Sequence, residues 1–244
     1  MKTAIVCGLM VSVILVAGTT IAAVEGGFRT TLAAGTTLAQ GNSKALQLNG
    51  SAITEGEREG LGSVRAGVEA NYGQSTVADV KSTTIENERL FGNVKKTLSD
   101  RMFSYIDGSI LKDDIAKIDY RVTLGPGFGV YTIKNSNTTL SAEIGPSYIW
   151  ENVSGISCDH LVLRVAERFT YALSSSAKVW QSVEYLPQEE EFSNYLLNVE
   201  IGVEAALNAH LNLRLVLQDK YNSQPPAGLV SNDLTLIAGI GVKL

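Results

Sequence analysis

From residue 118 to residue 130 the chain alternates strictly between apolar and polar or small positions. Ile118, Tyr120, Val122, Leu124, Pro126, Phe128 and Val130 share one parity; Asp119, Arg121, Thr123, Gly125, Gly127 and Gly129 share the other. A period of two marks a β-strand with two unlike faces, because successive side chains leave the backbone on opposite sides. The next segment repeats the pattern, with Leu140, Ala142, Ile144, Pro146, Tyr148 and Trp150 set against Thr139, Ser141, Glu143, Gly145 and Ser147. It returns at 64–72, 195–207, 211–220 and 234–244. Segments 83–98 and 101–111 alternate poorly, which leaves their faces unassigned. No stretch shows a helical period.

The pattern predicts about twelve strands, over 27–39, 43–53, 59–73, 82–98, 101–111, 116–134, 138–151, 158–173, 177–187, 194–207, 210–221 and 232–244. An even count is expected of a bacterial outer-membrane barrel. So is alternation between tight turns and longer loops. The pieces at 99–100, 135–137, 174–176 and 208–209 read as tight turns. The pieces "QSTVAD", "NVSGIS", "QEEEFS" and "NSQPPAGLVSN" read as loops on the opposite side. "QGNS" at 40–43 is short for that side, and "TEGERE" at 54–59 is long for a tight turn.

An alternating sheet can also build a soluble barrel with a greasy interior, as in lipocalins. Two features favour lipid outside and charge inside. The strands run well beyond the roughly 5–6 residues usual in soluble sheets and reach the roughly 9–11 needed to cross hydrocarbon. The polar parity also carries both signs of charge in mid-strand. Asp119, Arg121, Glu143, Arg164, Arg168, Glu200, Glu204 and Arg214 are the candidate lumen residues. Arg121 is expected to pair with Glu143 on the adjacent strand. Glu167 and Gln181 fall on the apolar parity, against this scheme. The expected fold is an all-β, antiparallel transmembrane β-barrel, a single domain over 24–244.

Glycine at every second position of "GPGFG" raises the question of a phosphate-binding loop. Such a loop places its glycines between a strand and a helix; these lie inside one long strand and another strand follows. On an inner face they leave a low stripe, at a bend in the wall or where a neighbouring long side chain needs room. Gly239 and Gly241, on the inner parity of the last strand, are expected to tolerate serine better than Ile240 tolerates arginine.

Composition narrows the setting. Charged residues make up 18% of the 244, below the roughly 25% of an average soluble chain. Lys2, an apolar run and the small-residue exit "TTIAA" have the form of a secretory signal peptide over residues 1–23, with cleavage after Ala23. Without that segment 19 basic and 25 acidic residues remain, a balance that argues against nucleic acid as a partner. Cys158 is then the lone cysteine, so no internal disulfide is available and no zinc cluster is expected.

Catalysis finds little support. An outer-membrane acyl hydrolase needs a serine, a histidine and an orienting group. His160 and His210 are the only histidines, and neither sits in a compact histidine–serine motif. "CDH" at 158–160 reads as a rim feature, and "EEE" at 189–191 as a solvated loop tip with a minor alternative role in binding divalent cations that bridge lipopolysaccharide. The chain is expected not to be an enzyme, with a membrane-embedded acyl hydrolase as the alternative. No cofactor and no metal site are expected.

The run "LKDDIAKIDYRVTLGPGFGVYTIK", followed by "LSAEIGPSYIWE", resembles the central signature of the salt-induced outer-membrane protein family (domain of unknown function 481). The matching residues are Asp114, Asp119, Arg121, Gly125, Gly127, Gly129, Gly145, Pro146, Tyr148 and Glu151. Gly41 and Asn42 resemble the family's early turn; Tyr221, Pro225, Pro226 and Asp233 resemble its closing loop. The resemblance implies a Gram-negative outer-membrane barrel, reached through the periplasm, whose partners are outer-membrane lipid, lipopolysaccharide, the barrel-assembly machinery and small solutes. It implies no catalytic residues. The role it leaves open is a narrow porin-like channel or a stress-responsive structural wall protein. One departure is the C-terminal Leu244, where such barrels end in an aromatic residue.

Overall fold

The computed structural model describes residues 27–39, 43–58, 62–77 and 79–243. The expected signal peptide, the turn at Gly41 and Asn42, and Leu244 lie outside the described residues.

The described residues form twelve strands: β1 (Phe28–Ala39), β2 (Ser43–Arg58), β3 (Gly62–Val77), β4 (Val80–Thr97), β5 (Met102–Asp113), β6 (Ile118–Lys134), β7 (Thr138–Val153), β8 (Ile156–Ala172), β9 (Ala177–Pro187), β10 (Tyr195–Ala206), β11 (Leu211–Asn222) and β12 (Asn232–Lys243). Each pairs antiparallel with its neighbours in sequence, and β1 pairs with β12, so the sheet closes into a barrel. Closure removes the free sheet edge that an open sheet would expose. No helix among the described residues is long and apolar enough to cross a membrane; any crossing is by strands.

Several connections are shorter than the sequence suggested. β2 runs on to Arg58 and β3 to Val77, which absorbs most of "TEGERE" and "QSTVAD". "NVSGIS" is strand except for Ser154 and Gly155, whose φ of 55° and 79° put both in the left-handed region. That is the geometry of a two-residue type I′ hairpin, whose twist matches the flanking strands. Only the β9–β10 connection (188–194) and the β11–β12 connection (223–231) are long among the described ones. Both lie at the end of the barrel opposite the start of β1.

The outside is apolar. Leu90, Ile106, Phe128, Ile144, Ile201 and Leu236 are each half exposed or more, on strands all around the wall. A monomeric soluble protein rarely exposes so large a continuous apolar area, whereas lipid is its natural solvent. Towards the end with the long loops the same outer face carries aromatic residues. Tyr148 packs on Trp150 at 4.7 Å, and Tyr195 lies between Tyr185 at 5.2 Å and Tyr221 at 5.7 Å. Tyr120 also points outward there. Such a girdle marks the level where hydrocarbon meets headgroups.

The inner face shows what the glycine stripe is for. Phe103 opposes Gly129, and Tyr105 opposes Gly127. A Cβ on either glycine would stand 2.3 Å from the facing ring. A Cβ on Gly125 would meet Ser147 and the Pro146 carbonyl, and one on Gly145 the Pro126 carbonyl. The stripe is a bed for two aromatic rings and a place where β6 and β7 approach closely. β4 and β5, which the alternation left unassigned, turn Phe91, Phe103 and Tyr105 inward. Large rings on the inside and glycines or charges on the outside blur the polarity contrast there.

The seam between β1 and β12 uses the same device. A Cβ on Gly239 would stand 2.6 Å from the Ala34 carbonyl, and one on Gly241 2.1 Å from Asn212 Oδ1. Both glycines are thus packed against neighbours, at Gly239 against backbone, so serine there carries a packing cost that the face assignment alone does not show.

Two outcomes follow. Leu236→Arg, in the middle of β12 and 56% exposed on the outer face, should cost about 2–4 kcal/mol of stability in lipid, as expected for a cation at mid-bilayer on a barrel exterior; refolding as efficient as the parent chain's would refute the face assignment. Gly129→Ala should destabilise by about 1–3 kcal/mol through overpacking. Combining it with Phe103→Ala should cost less than the sum of the two single changes, as measured by denaturant titration in detergent.

Candidate functional site

The inner face encloses a cavity of about 1050 Å³. Its lining runs from Glu57 and Ser63 at one end of the barrel to Ile115, Ala116 and Pro225 at the other. It therefore follows the barrel axis from mouth to mouth.

A guanidinium sits at mid-height. Arg164 of β8 donates from Nη1 to Glu143 Oε2 at 2.9 Å and from Nε to Glu184 Oε1 at 2.6 Å, and lies 3.8 Å from Asp107 Oδ1. Lys95 of β4 reaches Glu143 Oε1 at 2.5 Å. Amides complete the shell: Asn93 donates to Asp107 at 3.0 Å and Asn198 to Glu184 at 3.1 Å. Arg164 also lies over the Tyr105 ring, 5.1 Å from its centre. Arg164 to Asp107, and Lys95 to Glu143, each join strands three places apart in the barrel. These contacts are chords across the lumen, not links along the wall. Side-chain exposure is 8% for Arg164 and 7% for Glu143, so the charges are held by each other and not by bulk water.

A second group lies beside it. Trp180 donates to Glu200 at 2.6 Å, and Gln218 donates to its other oxygen at 3.0 Å. Arg214 covers the Trp180 ring at 5.0 Å, while Arg65 and Arg89 flank the Phe91 ring at 4.8 and 5.0 Å. Glu204 is buried, 4.0 Å from Lys178. Arg168 lines the cavity within electrostatic reach of Glu200 and Arg65.

Of the eight candidate lumen residues, Arg121, Glu143, Arg164, Arg168, Glu200, Glu204 and Arg214 thus sit on the inner face. Asp119 does not join them. The β6–β7 register shifts between Ile118 and Tyr120, so Asp119 is an extra residue. The bulge turns Ile118 inward, 6% exposed, and leaves Asp119 exposed. The pairing of Arg121 is corrected as well. Its cross-strand partner is Glu151, whose Oε2 accepts from Arg121 Nε at 2.5 Å, whereas Glu143 stands opposite Gly129. Alternation fixes a face but not a register, which is why Glu143 was the wrong choice. Lys95 and Asp107 were missed because β4 and β5 alternate poorly; Glu184 lies on the face opposite Gln181, where Trp180 and Leu186 blur the contrast. Glu167 and Gln181 are diagonal neighbours on the outer face of β8 and β9, and Gln181 Nε2 donates to Glu167 Oε2 at 3.4 Å.

Near the mouth with the long loops, β7 and β8 bring Glu151, Cys158 and His160 together on the inner face. No partner for either histidine is evident in the sequence; Glu151 is supplied by the hairpin register, in which it opposes Cys158. Among the described residues neither His160 nor His210 has a side-chain hydrogen bond to a serine.

The family model described as "Protein of unknown function, DUF481" matches residues 32–244. The chain belongs to this family. Its signature residues Gly125, Gly127, Gly129 and Gly145 form the ring bed and the β6–β7 contact. Glu151 anchors Arg121, and Tyr148 donates to Asp159 on the outer face. Asp114 meets Lys112 at 3.0 Å at the rim. No curated protein matches the chain. Among solved structures, an outer-membrane channel from Pseudomonas putida F1 is similar over 91% of this chain and 97% of that one, at 9% identity and a TM-score of 0.51. The translocator domain of the autotransporter NalP from Neisseria meningitidis is similar over 89% and 88%, at 15% identity and a TM-score of 0.49. The likeness to the Pseudomonas channel supports the barrel fold.

A double-mutant cycle tests the corrected pairing. Arg121→Met and Glu151→Gln should be non-additive in unfolding free energy, because either alone strands a half-buried charge. Arg121→Met and Glu143→Gln should be additive.

Proposed function

We propose that this DUF481 protein is an outer-membrane channel of the porin type, passing small hydrophilic solutes through a narrow, charge-balanced lumen. Residues 1–23 serve as its export signal. The observation that carries the reading is the cavity of about 1050 Å³ lined from one mouth to the other. The apolar outer wall and its aromatic girdle supply the membrane setting. The printed description of the Pseudomonas neighbour as an outer-membrane channel agrees with it.

The chords from Arg164 and Lys95 narrow the passage, so only small solutes fit beside them. A passing solute exchanges water for fixed charges of both signs, which favours polar over apolar cargo and discriminates weakly by sign. The same chords favour a second reading. If they close the lumen, the barrel is a wall protein reinforced from within. The acyl-hydrolase alternative gains no observation.

Planar-bilayer recording with the folded protein separates the readings. Small, reproducible single-channel steps are expected. Arg164→Ala should raise the conductance and shift selectivity towards cations, because Asp107, Glu143 and Glu184 lose their shared counter-charge. Silence from protein shown to be folded in the bilayer would overturn the channel and leave the wall.

A further inference from the structure

We propose that Glu151, Cys158 and His160 form a site for a borderline-soft divalent cation of the zinc class, set in the lumen wall at the mouth with the long loops.

The residues come from two strands joined by the tight Ser154–Gly155 hairpin. Glu151 stands directly opposite Cys158, and His160 lies two positions further along the same face of β8. The thiol Sγ is 3.7 Å from Glu151 Oε1, and one donor atom from each of the three lies within 4.8 Å of the other two. Ligands of a tetrahedral zinc ion, bound at roughly 2.0–2.3 Å, stand about 3.3–3.8 Å apart. Side-chain rotation of about an ångström closes the difference, and the hairpin backbone need not move.

The surroundings suit a metal. Glu151 Oε2 is held at 2.5 Å by Arg121, which fixes the carboxylate and leaves Oε1 turned to the thiol. Such outer hydrogen bonds orient metal ligands and weigh on affinity. Below the site Ile149, Val162 and Leu186 form a buried apolar cluster, so the floor is dry. Above it Cys158 is exposed, which opens an entry path and a fourth coordination position for water or a solute. One thiolate and one carboxylate neutralise a divalent ion. Thiolate and imidazole select zinc-class ions over magnesium and calcium, which prefer oxygen throughout. Binding converts the Cys158 thiol and the free ion to a metal thiolate and one released proton.

The test is cobalt spectroscopy on the detergent-folded chain carrying Cys7→Ser, so that Cys158 is the one thiol. Co²⁺ should saturate at one equivalent, with a thiolate-to-cobalt absorption band and the intense visible bands of four-coordinate cobalt, and Zn²⁺ should abolish both. Cys158→Ser should remove the thiolate band. His160→Ala should weaken binding by about tenfold or more. Each variant is first checked for native barrel migration on unheated gels. The absence of a thiolate band from folded protein would overturn the site. So would a band that His160→Ala leaves unchanged, which would mark a lone-thiolate adduct. The readout needs no ion flow, so it stands whether or not the barrel conducts.

Discussion

Closure is the constraint from which the rest of this structure follows. Once β1 pairs with β12, each strand has two neighbours and each residue has one of two faces. A slip of one residue anywhere would turn a row of leucines into the lumen and a row of charges into lipid. The register is therefore held by the solvent on both sides of the wall. The seam is where this is hardest, since its strands meet last in sequence. Gly35 and Gly239 stand against each other's strand there, with room for hydrogen only.

Within that wall the lumen obeys the rule for buried charge: a group removed from water must find its counter-charge or stay neutral. Arg164 meets it with three carboxylates drawn from β5, β7 and β9, and amides and Lys95 saturate what remains. Such a network is rigid because each member leaves another uncompensated if it moves. It also ties together strands a quarter of the way round the cylinder, a bracing that neighbour-only contacts lack. The same residues thus brace the wall and narrow the lumen.

The strands were legible because lipid outside and water inside impose the cleanest period-two contrast a sheet can carry. Eleven-residue β9 was placed at its observed limits, and β1, β6 and β10 to within two residues. Legibility failed where one solvent stopped acting. β4 and β5 turn rings inward because the glycines of β6 leave a space to fill, and a ring on the lumen side looks like a lipid-facing residue. Asp119 failed because a bulge changes parity without any change in composition. The ion pairs failed because shear decides which strands meet across the lumen, and nothing in Arg164 itself names β5. The Glu151–Cys158–His160 cluster was hidden for the same reason, since "NVSGIS" read as a loop until its two-residue turn fixed the register.

The rings are not spread evenly round the inner face. Phe103 and Tyr105 lie flat over the glycines of β6, with Ile149 and Val162 buried nearby on β7 and β8. That side of the cylinder is a packed core in miniature. Polar lining continues round the rest of the wall, from Arg29 and Glu55 to Glu200 and Gln218, and reaches back to Asp107, Arg121 and Glu143. Apolar packing there supplies stability that a barrel lined only by charge and water would lack. Guanidinium groups sit at the boundary, with Arg164 over Tyr105 and Arg214 over Trp180. Arginine suits that place, because its flat face rests on an aromatic ring while its edge donates to carboxylates. Lysine could keep the charge but would lose the stacking, and the edge of the passage would lose its shape.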